Sequence, residues 1–180
     1  MALGVNFSEV DEAKEFTDRP GAGVYVCTIV KAENVPEKQY IKAYLDIAVG
    51  DYLGYGKSIE DRTGQDWGYI PCYFSYKPTA LGMTKRNVRL VAESSDYKGN
   101  IFDEFSDTEG KVLEGKYIGI VIGEQEYEKQ DGTVGKLFKL PKLVLAQDAM
   151  DKPESFKVPE LEKLAVKPAE TQLGSFDTPF

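Results

Sequence analysis

The chain has 180 residues, 42% of them hydrophobic, and a formal net charge of −8. That length suits one well-packed core with extensions and excludes two ordinary domains. No stretch approaches the ~20 apolar residues of a membrane helix, and Glu9, Asp11, Glu12 and Glu15 interrupt any apolar run that could serve as a secretory signal.

Residues 1–20 read as an acidic leader in which Phe7, Val10 and Phe16 fit a short amphipathic helix. Gly21-Ala22-Gly23 opens an ordered region, 21–150. Gly23 to Glu33 is rich in β-branched and aromatic residues, hence a strand, and Asn34-Val35-Pro36-Glu37 is a turn. Lys38 to Val49 alternates, with Ile41, Ala43, Leu45, Ile47 and Val49 on one face and Tyr40, Lys42, Tyr44 and Asp46 on the other. The Gly-rich run Gly50 to Lys57 reads as a loop. Trp67 to Tyr76 is extended, and Pro71 marks it as an edge or an irregularity. Cys27 and Cys72, the only cysteines, both lie in strand-like apolar runs, so buried free thiols are expected.

The period then changes. Leu81, Val88, Val91, Ala92 and Ser95 fit one helical face, with Thr84 as N-cap or with a start nearer Pro78. Tyr97 to Glu114 reads as irregular and acidic. Two strands follow, Lys116 to Glu126 and Val134 to Leu145, joined by a hairpin at Gln130-Asp131-Gly132. Residues 151–180, with four prolines, read as a flexible tail in which Val158 to Val166 could form one short helix. The order predicts a mainly β domain: a five-stranded OB-fold-like Greek-key barrel with one helix between strands 3 and 4.

Eleven of the residues are Tyr, and several fall where the outward face of a strand is ordinarily polar. Tyr40 and Tyr44 flank Lys42, and Tyr69 and Tyr73 alternate along the next extended run. Exposed aromatic faces beside cations suit single-stranded nucleic acid, because every base presents a π-face; each stack contributes ~1–3 kcal/mol. Such tyrosines also serve as ordinary strand residues with a wet hydroxyl. Trp67, between Asp66 and Gly68, is a further stacking candidate. Lys85, Arg86 and Arg89 form the densest basic cluster, although Arg89 is also spaced to pair with Glu93. Lys136 stands beside the hairpin with Lys129, Lys139 and Lys142. The charge divides as −3 over residues 1–20, −3 over 21–150 and −2 over 151–180. The central region is thus only mildly acidic, and few phosphates can be neutralised.

No catalytic constellation is read. The chain has no His, which removes the commonest general base and leaves no zinc-ligand set. It also lacks a GxxxxGK[ST] phosphate loop, a GxSxG elbow and an HExxH pair. Neither an enzyme nor a cofactor is expected.

The chain closes on Gly174-Ser175-Phe176-Asp177-Thr178-Pro179-Phe180. A terminal aromatic can enter a small apolar pocket while its carboxylate and Asp177 pair with cations at the rim, and Pro179 stiffens the approach. This tip resembles the C-terminal tip of bacterial and phage single-stranded DNA-binding proteins. Leu113-Glu114-Gly115-Lys116 and Gly123-Glu124-Gln125-Glu126-Tyr127 extend the resemblance into the central region. Bacterial members carry several consecutive acids before Pro-Phe, and this tip has only Asp177. The resemblance implies cytoplasmic coating of single-stranded DNA in phage replication or recombination. It also implies that Phe176, Asp177, Pro179 and Phe180 recruit replication or recombination proteins, with no membrane association and with homo-oligomerisation left open. The alternatives are a phage structural or interaction β-barrel that does not touch DNA, and a small enzyme of nucleotide metabolism.

Overall fold

The computed structural model describes residues 18–164 together with Gly4, Asn6, Ser8 and Phe16. Its organising strand is β1 (Gly23–Val35), whose first half pairs antiparallel with β4 (Tyr117–Ile122) and whose second half pairs with β2 (Tyr40–Ile47). Opposite β2, Ile29 faces Leu45 and Lys31 faces Tyr44, so Val30 is an extra residue, a β-bulge. Such a bulge bends a strand and increases its twist. It also exchanges the faces: Cys27 and Ile29 are buried before it, Ala32 after it. The antiparallel sheet, ordered β3-β2-β1-β4-β7, is completed by β3 (Ile70–Ser75) and β7 (Lys142–Val144) and curls into a half-barrel. The protein is mainly β, as expected.

In β2 the residues expected inward, Ile41, Ala43, Leu45 and Ile47, are buried, but so are Tyr44 and Asp46 on the opposite face, and Val49 lies beyond the strand and is exposed. Pro71 sits in β3, an edge strand, where its missing N–H costs no ladder bond. The concave face packs Ile29, Leu45, Phe74, Ile118 and Ile120 against Val88 and Val91 of α2 (Leu81–Ser94) and Ile101 of α3 (Ile101–Asp107).

Four readings need correction. The 50–57 run is not all loop, since a helix, α1 (Tyr55–Thr63), begins within it. Two helices, not one, lie between β3 and β4, because the segment expected to be irregular contains α3; Asn100 caps it by accepting from the Asp103 N–H. Thr84 is no N-cap: a 3₁₀ turn over Pro78–Ala80 leads directly into α2, and the buried Thr84 hydroxyl donates to the Ser75 carbonyl. Each of the two late strands is broken. β4 ends before Gly123, and β5 (Glu124–Glu128) pairs with β6 (Val134–Phe138) in a separate two-stranded ribbon; Pro141 separates β6 from β7. A Cβ on Gly123 would lie 2.9 Å from Pro159, so the close approach of Pro159 to the chain at the break needs glycine's lack of a side chain.

The convex face over β1, β4 and β7 is covered. Val26, Val121 and Val144 pack with Ala146 and Ala149 of α4 (Ala146–Asp151) and with Phe156 and Val158 beyond it. Further on, the backbone of Glu162 donates to Glu124 and accepts from Glu126, laying residues 162–164 beside the ribbon. No helix among the described residues is long and apolar enough to cross a membrane.

Cys27 and Cys72 are both free and buried. Burial, then the nearby Asp46 carboxylate, push the Cys27 thiol far above its ordinary range. Burial pushes Cys72 up to about 12, against a downward pull from the Tyr73 backbone. The folded protein is therefore expected to resist Ellman's reagent at about pH 8, with both thiols reacting only in denaturant. A rapidly reacting thiol in the folded protein would contradict this packing.

Candidate nucleic-acid interface

The other half of the convex face, over the second half of β1 with β2 and β3, carries no helix across its middle. The register places Lys31, Glu33 and Val35 of β1 beside Tyr44, Lys42 and Tyr40 of β2, which in turn face Pro71, Tyr73 and Ser75 of β3. Three adjacent strands thus present one surface of tyrosines and lysines. The bulge at Val30 brings Lys31 onto it, and no simple period-2 reading of β1 would have found that residue.

The aromatic residues on this surface do different things. Tyr40 and Tyr73 meet edge to face with centroids 4.8 Å apart and planes at 78°. Tyr73 is 36% exposed, so this pair offers open ring surface. Tyr44 is only 9% exposed. The Lys42 and Lys31 ammonium groups lie 4.8 and 5.3 Å from its ring centroid, and its hydroxyl donates to Glu33. Tyr44 therefore holds two cations on the surface and is not itself an open platform. Burial pulls the Lys42 pKa down, but Tyr44, Tyr73 and Asp66 outweigh it and leave that pKa above the ordinary value.

Trp67 and Tyr69 lie in the connection from α1 to β3. Trp67 is 61% exposed and Tyr69 only 8%. Tyr69 packs on the first turn of α1, where a Cβ on Gly56 would meet its ring at 2.4 Å. Burial, then its bond to Glu60, raise the Tyr69 phenol pKa. The anchor of this arrangement is Asp46, on the tyrosine side of β2 but buried. Its carboxylate accepts from the backbone N–H groups of Gly56 (2.7 Å) and Lys57 (3.1 Å), so a strand residue ten positions upstream satisfies the N-terminus of α1. Between α1 and the sheet, Val30, Lys31, Tyr44, Glu60, Asp66 and Tyr69 line a cleft of about 310 Å³.

The remaining candidates lie elsewhere. Lys85, Arg86 and Arg89 are exposed on α2, which packs on the concave side, so the fold does not bring them onto the Tyr40–Tyr73 surface. Lys85 lies 5.4 Å from the Phe102 ring centroid, and Arg89 pairs with Glu93 at 2.8 Å. Since α2 begins at Leu81, neither Lys85 nor Arg86 stands at its N-terminus. Lys136 is exposed on the β5–β6 ribbon; its carbonyl accepts from Arg19, which also pairs with Glu124 and stacks on Phe138. Phe176, Asp177, Pro179 and Phe180 lie outside the described residues, as do Phe7 and Val10. Phe16 is described; it stacks on Tyr52 and meets Tyr55 edge to face. No cluster of His, Cys, Asp and Glu among the described residues could hold a metal ion.

No protein-family model matches this chain, and no curated protein matches it.

Asp46→Ala leaves the first turn of α1 without its acceptor and is expected to lower the unfolding free energy by about 2 kcal/mol in urea titrations. A change below about 0.5 kcal/mol would mean that water replaces the carboxylate without loss.

Proposed function

We propose that the protein binds single-stranded DNA, with little sequence preference, on the convex face of β1, β2 and β3. The observation that carries this reading is the juxtaposition of the Tyr40–Tyr73 pair with Lys31 and Lys42 on an uncovered sheet face. Rings there can stack on bases while the lysines meet phosphates. Strands that pair first with second, second with third and first with fourth fit a partly open Greek-key barrel of the OB type, which binds oligonucleotides across strands 2 and 3. In that reading the β5–β6 ribbon extends the loop between the last two barrel strands, and Lys129 and Lys136 approach the strand from there. The role is coating of single strands in phage replication or recombination in the host cytoplasm. Phe176, Asp177, Pro179 and Phe180 are then the partner-binding tip.

A second reading, an interaction protein that does not touch DNA, draws support from one feature. Tyr76, Leu81, Phe102 and Phe105 line adjoining apolar cavities of about 410 and 330 Å³ between α2 and α3. A gel shift with oligo-dT and the matching duplex separates the two readings. The proposal expects a shift with the single strand and a far weaker one with duplex. No shift at micromolar protein in low salt would end it.

Tyr40→Ala with Tyr73→Ala is expected to weaken single-strand affinity by about tenfold or more while the protein stays folded. Full affinity in that variant would reduce the pair to packing. Affinity should also be flat between about pH 6 and 9, because the chain has no His and Lys42 titrates above its ordinary value. The plot of log K against log salt should be shallow, about −0.7 for each of roughly three to five phosphates contacted. A much steeper slope would indicate a basic surface other than this one.

A further inference from the structure

The cleft between α1 and the sheet differs in chemistry from the Tyr40–Tyr73 surface it adjoins. Its walls are the rings of Tyr44 and Tyr69 and the side chain of Val30, and its polar rim combines the Glu60 and Asp66 carboxylates with Lys31. The Lys31 ammonium is directed to the Tyr44 ring and lies 3.7 Å from Glu33. The groups left to meet a guest at the rim are thus mainly acceptors. Carboxylates repel a phosphate, so an inserted part of a nucleotide would be its base. They also discriminate among bases, since an ionised carboxylate only accepts hydrogen bonds. Cytosine and adenine present an exocyclic amino donor; thymine and uracil present carbonyl oxygens with a single ring N–H between them.

We infer that this cleft receives one base of the bound strand and favours an amino base, with Glu60 and Asp66 as the specificity-determining residues. The inference builds on the proposed single-strand interface and adds a mild preference to its otherwise sequence-tolerant stacking. Asp66 acts directly at the rim. Glu60 already accepts from the Tyr69 hydroxyl, and a carboxylate retains further acceptor capacity after one such bond.

The test is fluorescence anisotropy of the full-length protein with labelled oligo-dC and oligo-dU of equal length near neutral pH. These bases differ in the amino or carbonyl group at position 4 and the linked protonation at N3, and neither has the thymine methyl. Oligo-dC is expected to bind about fivefold more tightly, and Asp66→Asn with Glu60→Gln is expected to shrink that ratio towards one. Because an amide can donate to a carbonyl as well as accept from an amino group, the fall in the ratio is expected to come mainly from weaker oligo-dC binding. Equal binding of the two oligonucleotides by the wild-type protein would overturn the cleft assignment while leaving the interface intact. An undiminished ratio in the folded double variant would also overturn it. Failure to bind either oligonucleotide would remove the interface and the cleft assignment together.

Discussion

The structure depends on β1 being hydrogen-bonded along both edges, with one extra residue at Val30 inside its ladder with β2. Without the bulge, Lys31 and Glu33 would share the inward phase of Cys27 and Ile29, and two charges would enter the core at a cost of several kcal/mol. With it, the strand turns its apolar residues inward on both sides of the bend. The convex face is also divided there. Before the bulge, Val26 joins an apolar patch that α4, Phe156 and Val158 cover. After it, Lys31 and Glu33 join the tyrosines of β2 and β3. The half that α4 covers and the half that carries tyrosines and lysines, with α1 at its margin, thus meet at a single-residue offset.

The tyrosine–lysine half gains its order from polar contacts of unequal kind. Edge-to-face packing fixes Tyr40 and Tyr73 relative to each other, and cation–π contacts fix Lys31 and Lys42 over Tyr44. Such contacts contribute roughly 0.5–1 kcal/mol each at exposed sites. Their larger consequence is preorganisation: side chains already held on the face lose less freedom when a ligand arrives. Asp46 plays the corresponding part at the margin, tying α1 to β2 and so placing Tyr69, Glu60 and Asp66 beside the lysines. In the proposed function, the open tyrosine pair supplies tolerant stacking and the α1 cleft supplies discrimination.

Strand β2 was readable because its period is undisturbed, and its outward residues Tyr40, Lys42 and Tyr44 share a face as the alternation required. The bulge was not, since one extra residue in an apolar run leaves composition unchanged. Helix α1 escaped because its stabilising acceptor, Asp46, lies outside any local window, while the three glycines at 50, 54 and 56 resemble a loop. Gly56 is there because Tyr69 occupies the space of a side chain. Helix α3 was the more accessible miss, given that Asn100 and Asp103 form a visible N-terminal signature within a segment dominated by acids. For the candidate site, residue type alone did not show that Tyr44 and Tyr69 are buried. Nor did it show that Lys31, Glu60 and Asp66 meet at one cleft, since their meeting is tertiary.

The central claim is that the uncovered convex half of the sheet is where single-stranded DNA lies. Backbone amide hydrogen exchange of the full-length protein, with and without a saturating single-stranded oligonucleotide, tests it most directly. The account predicts added protection over residues 30–46 and 66–75, with none over α4 or residues 152–158. Protection confined to the α2–α3 groove, or to the face that α4 covers, would contradict it.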